Sequence, residues 1–212
     1  MALSIDIVGM IFSARVRPMR FLAIERAPLR YVKGIVVHQT DAFTAEATFN
    51  AYRKPGALGA HFLIDKNGTI YQTASVRQMT MHVGFIKTRC LQELTCSATT
   101  HRTRPGINTH RVEIRKSWPA RYPTNAEAVG IELVGRASLP TGFPIPQSTP
   151  HGKLEKLRAE HGVYETPTTV QNLSLKWLVD ELVDTLTIDR NEVFRHPVVS
   201  WKNADEARRA TW

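Results

Sequence analysis

The chain has 212 residues, of which 42% are hydrophobic and 22% charged. That composition excludes a fibrous or intrinsically disordered protein, and the length suffices for one domain with a full core. A formal net charge of +9 and a pI of about 9.9 favour an anionic partner, for which nucleic acid, an anionic membrane or a phosphate-rich cell wall would each serve.

The first 31 residues begin MALSIDIVGMIFSARVRPMRF. Asp6 interrupts their apolar stretch and no positive charge precedes it, so no signal peptide is expected. The chain has no apolar run of about 18 residues, so no transmembrane helix is expected either. Synthesis in the cytoplasm follows, and action outside it would need a non-Sec route.

Lys33–His38 is an apolar, β-branched run that reads as a buried strand. Residues 43–53 carry Phe43, Ala47, Phe49 and Tyr52 near helical spacing, and Pro55-Gly56 ends that helix. His61–Asp65 and Thr69–Thr73 flank Lys66-Asn67-Gly68, and Asn-Gly between two apolar runs is a strong hairpin signal. Residues 74–128 lack periodicity and are rich in Thr, Arg, Pro and His, which predicts long loops with short elements. Within them Cys90 and Cys96 are six apart. That spacing excludes a two-residue metal knuckle and leaves open a local disulfide or two separate buried thiols.

Val129–Val134 reads as a second buried strand, and the Pro- and Gly-rich stretch 136–166 as irregular. The clearest helix follows, capped by Thr168 or Thr169, with an apolar stripe of Val170, Leu173, Trp177, Leu178, Leu182 and Leu186. The tail from His196 reads as a loop and a short helical turn. Several joins are too short for helical crossovers, so the expected fold class is α/β, a mixed central β-sheet flanked by helices in a single domain with long loops. The basic residues are scattered, with small groups such as His101, Arg102 and Arg104, and Arg208-Arg209. No helix-turn-helix or finger spacing accompanies them, so no specific nucleic-acid partner is expected.

Among eight histidines, two are well placed to ligate a metal. His38 ends the first buried strand, and strand ends are rigid and open onto a site. His196 follows the main helix, with Lys202, Asp205 and Glu206 shortly downstream. Glu132 lies inside the second buried strand, where period-two alternation puts it on one face with Gly130 and Val134, and Ile131 and Leu133 on the other. A carboxylate there costs several kcal/mol unless it is paired or lines a wet cleft. It is either half of a structural ion pair or a group with a raised pKa suited to proton transfer.

The strings VKGIVVHQT, LGAHFLIDKNGTIYQ, MHVG and AVGIELVG, followed by a late His-containing segment, occur in this order over residues 32–212. Together they resemble the amidase-2 family, the zinc N-acetylmuramoyl-L-alanine amidase fold shared with peptidoglycan recognition proteins and phage amidases. The resemblance implies a catalytic domain over 32–212 behind an N-terminal extension of residues 1–31. It implies peptidoglycan as substrate and Zn2+ as cofactor, with His38 and His196 as ligands. Glu132 would activate water, Lys202 would stabilise the oxyanion, and His61 and His82 would be cleft histidines that contact substrate or support the ligands. Family members place the third ligand eight or ten residues after the second histidine. Here those positions hold Ala204 and Glu206, with Asp205 between them. Both carboxylates are adequate donors, and the spacing favours Glu206. The segment RHPVVSWKNADEARRATW is similar to a bacterial subgroup that includes type VI secretion effectors. That likeness implies an antibacterial role with an immunity partner.

Overall fold

The computed structural model describes residues 3–97, 106–146 and 148–212, so the basic group at 101–104 lies outside the described residues. In chain order, the first strands are β1 (Ser4–Ile5), β2 (Ile11–Phe12), β3 (Val16–Pro18), β4 (Glu25–Pro28) and β5 (Gly34–Gln39). Then come helix α1 (Ala45–Tyr52), β6 (Phe62–Ile64), β7 (Ile70–Gln72), β8 (Gln78–Thr80), α2 (Arg89–Gln92) and α3 (Ile107–Glu113). The rest comprises β9 (Ala128–Leu133), β10 (Ala137–Ser138), α4 (His151–His161), β11 (Val163–Tyr164), α5 (Thr169–Leu186), β12 (Val193–Arg195) and α6 (His196–Val199).

Six strands form the central sheet in the order β12-β5-β9-β6-β7-β3. The β6–β7 pair is antiparallel and the others are parallel, which makes the sheet mixed. The β6–β7 hairpin turns at Gly68, whose φ of +83° is open to glycine without strain. Residues 3–31 are tied into this body: β3 is an edge strand of the sheet, and Ile11, Val16 and Leu29 are in its core.

Strand alternation decides what each face carries. Ile35, Val37, Val129, Ile131, Leu133, Phe62 and Ile64 pack on Leu175, Leu178, Val179 and Leu182 of α5. Each of those helix side chains contributes about 1.5–3 kcal/mol by leaving water. The opposite face carries two smaller clusters. One joins Leu63 to Phe49 and Tyr52 of α1 and to Phe21 and Ile24, and the other joins Val36 and Ala128 to Val83, Ile86, Tyr122 and Val199.

Thr168 and Gln171 cap α5 reciprocally: the Thr168 hydroxyl accepts from Gln171 N at 3.1 Å, and Gln171 Oε1 accepts from Thr168 N at 3.0 Å. The Gln171 amide also donates to the carbonyls of Ile64 and Val134, so the helix start is fastened to the sheet. The stripe read from the sequence is out of phase at this end, because Val170 and Leu173 are exposed and Gln171, Ser174 and Leu175 face inward. Two further differences concern missed elements. Residues 151–161 form helix α4 with no buried side chain, so apolar periodicity could not reveal it. Strand β12 is three residues long, too short for alternation to show, yet it pairs with β5 and delivers His196 to the sheet.

Candidate metal centre

The site gathers where β5, β9 and β12 end. His38 is directly opposite Glu132 in the β5–β9 register. His196 opens α6 immediately after β12, so its ring comes to 4.1 Å, centroid to centroid, from that of His38. The chain then turns at Asn203, whose amide donates to Gly162 O and whose backbone carbonyl accepts from Glu206 N, and Glu206 is carried back under both rings. His38, His196 and Glu206 are 3%, 4% and 6% exposed, and their ligand atoms lie within 4.8 Å of one another.

Hydrogen-bond accounting shows what this trio wants between its members. His196 Nε2 is 3.0 Å from the Val83 carbonyl, which can only accept, so Nε2 carries the proton. That leaves His196 Nδ1 bare, 2.8 Å from Glu206 Oε1. His82 Nε2 faces the Ala128 carbonyl at 3.3 Å, and His82 Nδ1 is 3.0 Å from His38 Nε2. With its own proton on Nε2, His82 accepts from His38, which leaves His38 Nδ1 bare at 3.4 Å from the same Glu206 oxygen. Two bare imidazole nitrogens and a carboxylate oxygen around one point repel one another unless a proton or a cation sits among them. Two neutral imidazoles and one carboxylate are a donor set that suits Zn2+ and leave a coordination position for water.

The ionisation preferences agree with that accounting. Burial and the neighbouring His196 lower the His38 pKa to about 4. Burial alone would raise Glu206, but with a proton shared between it and the rings of His196 and His38, in the place a cation would otherwise take, it is held at about 2. At neutral pH the trio therefore presents a neutral His38 imidazole and an anionic carboxylate. Glu132 is pushed up to about 7, first by burial and then by the Glu206 carboxylate, against smaller opposing effects of the Tyr52 hydroxyl and Lys202. It sits beside an anion at the threshold of ionisation.

The remaining expected residues divide clearly. Lys202 is exposed on the loop between α6 and Glu206, and its charge reaches both His38 and Glu132. It lines a cavity of about 430 Å³ with Lys87, Lys156 and Trp201. Asp205 faces away from the trio: it accepts from Tyr164 N at 2.7 Å and pairs with Arg209. His61 is wholly buried, donates to Gln78 O and accepts from Gly130 N, and offers no surface to a ligand in this conformation. His82 stands behind His38 rather than in front of it. Three contributors escaped sequence reading: the Tyr52 hydroxyl on Glu132, the Val83 carbonyl on His196, and Asn125, whose Oδ1 accepts from the backbone N–H groups of His82 and Val83. Val83 lies in the MHVG string but acts through its backbone carbonyl, which residue type does not report, and Tyr52 and Asn125 lie in none of the quoted strings. The two cysteines form a disulfide, with their Cα atoms 4.8 Å apart.

A mixed α/β sheet with a buried His-His-carboxylate trio at its strand ends defines a candidate metallohydrolase-type site. A family model described as N-acetylmuramoyl-L-alanine amidase matches residues 28–210, and the chain belongs to that family. No curated protein matches the sequence. Among solved structures, a selenomethionine derivative of AmpD is 15% identical and superposes with a TM-score of 0.52, covering 93% of this chain and 88% of that one. The endolysin amidase LysCS from Clostridium intestinale URNW is 16% identical, with a TM-score of 0.46 and coverage of 89% and 84%. Drosophila peptidoglycan recognition protein SD is 12% identical, with a TM-score of 0.42 and coverage of 93% and 91%. At 15% identity the likeness to AmpD is one of fold. Among the described residues, no helix is long and apolar enough to cross a membrane.

Proposed function

We propose that this protein is a zinc-dependent amidase that hydrolyses the amide between N-acetylmuramic acid and the L-alanine of the peptidoglycan stem peptide. The observation that carries this reading is the convergence of His38, His196 and Glu206 within 4.8 Å, beside a carboxyl group poised at about 7. Zn2+ bound by those three residues would supply Lewis acidity toward the scissile carbonyl and a water acidic enough to react at neutral pH.

The protein's own groups do the rest. Ionised Glu132 takes a proton from the attacking water as its oxygen bonds to the lactyl carbonyl carbon. The Lys202 ammonium offsets the charge that develops on the carbonyl oxygen, and losing one such donor costs about 10²–10³ in rate. Glu132 then returns the proton to the departing L-alanine nitrogen as the C–N bond breaks.

Digestion of defined peptidoglycan with and without chelator, followed by mass spectrometry of the new ends, tests the reading. New muramic-acid and free L-alanine ends that vanish with chelator are expected. Retention on sacculi with no new ends would instead make the protein a binding module.

The antibacterial effector role rests on the likeness of residues 195–212 to type VI effectors, and the Cys90–Cys96 disulfide suits the oxidising space in which such an enzyme works. Expression directed to the periplasm should kill a host lacking an immunity partner, while cytoplasmic expression should not. Equal growth in both cases would remove this role.

A further inference from the structure

One two-residue segment controls the far side of both histidines in the trio. His82 Nδ1 holds His38 Nε2 at 3.0 Å, and the carbonyl of the next residue, Val83, holds His196 Nε2 at 3.0 Å. Neither residue lies in a strand or helix, so regular backbone pairing does not fix their position. Asn125 does so: its single Oδ1 accepts from the N–H groups of both His82 and Val83, each at 2.8 Å. Asn125 is in turn held by the turn 124–127. There Glu127 N donates to Thr124 O, and Arg121 and the Thr124 hydroxyl both engage the Glu127 carboxylate. The Glu127 carbonyl accepts from Lys33 N at the foot of β5, and β9 begins at the next residue. The His82 ring has room over the sheet only because position 130 is glycine: a Cβ there would lie 2.8 Å from His82 Nδ1.

We infer that Asn125 is a positioning residue for the metal centre, acting through the His82–Val83 segment to fix which nitrogen of His38 and of His196 faces Glu206. This deepens the zinc reading and rests on it. An accepting oxygen at position 125 keeps the His82 ring and the Val83 carbonyl in place. Those two groups keep both Nε2 atoms protonated, and both Nδ1 atoms are left as donors toward one point. Without that oxygen the segment is free to shift, and the rings lose the partners that select their tautomers. Groups that orient metal-bound histidines in this way typically change metal affinity by about 10–100-fold when removed.

The test measures zinc affinity by competition with a chromogenic chelator, together with the ligand-field absorption of the Co2+-substituted protein. It uses the full chain, wild type and three variants. Wild type should bind one zinc tightly, and failure there would refute the zinc reading itself rather than this inference. Asn125→Ala should bind about 10–100-fold more weakly with an altered cobalt spectrum, and Asn125→Asp, which keeps the accepting oxygen, should recover both. His82→Phe retains a ring but cannot accept from His38, and should weaken binding to a similar degree. It decides the matter alone if Asn125→Ala does not fold. Wild-type affinity in Asn125→Ala or in His82→Phe, or an Asn125→Asp protein no better than the alanine variant, would overturn the inference.

Discussion

Replacing Glu132 by glutamine should abolish hydrolysis and at the same time stabilise the zinc-free protein at alkaline pH. The Glu132 carboxyl is held at about 7 against an ordinary 4.5, chiefly by burial. The gap of about 2.5 units, at about 1.36 kcal/mol per unit, sets a ceiling of about 3 kcal/mol on what its ionisation costs the fold. The side chain keeps some exposure, so the measured figure should fall below that ceiling. Because the folded pKa lies above the unfolded one, the folded protein holds this proton longer. The resulting stability is complete below pH 4.5 and is lost as pH rises through about 7. Glutamine cannot ionise, so the stability gained by Glu132→Gln should grow from a baseline near pH 4.5 to as much as about 3 kcal/mol at pH 8. His38 and His61, both lowered to about 4 mainly by burial, act oppositely. Their contribution is present above 6.5 and is lost as pH falls toward 4. Both variants share it, so it cancels in the difference. Urea unfolding of the two proteins in excess chelator, from pH 4.5 to 8, reads that difference directly. A difference that does not change with pH would refute the claim that Glu132 ionises at a cost to the fold.

The other expectations are simpler. Activity of the zinc-loaded wild type should rise with pH as Glu132 ionises, with a midpoint below about 7, because a bound dication offsets the Glu206 charge that helps to raise it; a rate unchanged from pH 3 to 8 would exclude it as the base. His38→Ala, His196→Ala and Glu206→Ala should each lose stoichiometric zinc in metal analysis, whereas Asp205→Ala should keep it, since Asp205 holds Tyr164 N and Arg209 instead. Zinc loss from Asp205→Ala alone would reverse that assignment. Leu178→Ala, at a fully buried position on the far side of the sheet, should cost about 2–5 kcal/mol in unfolding while leaving activity per folded molecule unchanged.

Physical chemistry explains why some elements were readable from the chain. The β5 and β9 runs, the Asn67-Gly68 turn and the capped start of α5 each depend on neighbours within a few residues, so local pattern reports them. Glu132 stood out because a carboxylate within an apolar strand is costly without a reason for being there. The end of the first buried strand marked His38, but nothing local marked β12, whose three residues form a strand by pairing with β5. The polar helix α4 was missed for a similar reason, since it buries no side chain and so has no apolar period.

The sequence by itself determined the two buried strands, the hairpin, the main helix and the set of groups able to bind a metal, because each follows from residue type and short-range spacing. It narrowed the third ligand to two adjacent carboxylates. Only the tertiary structure shows where each of them points: consecutive side chains leave a turn in different directions, and here Glu206 turns toward the two imidazoles while Asp205 turns toward Tyr164. It also brought Asn125 to the backbone of His82 and Val83, 43 and 42 residues away, and the Val83 carbonyl to His196, 113 residues away. Contacts over such separations depend on how strands stack in space, which no local pattern encodes.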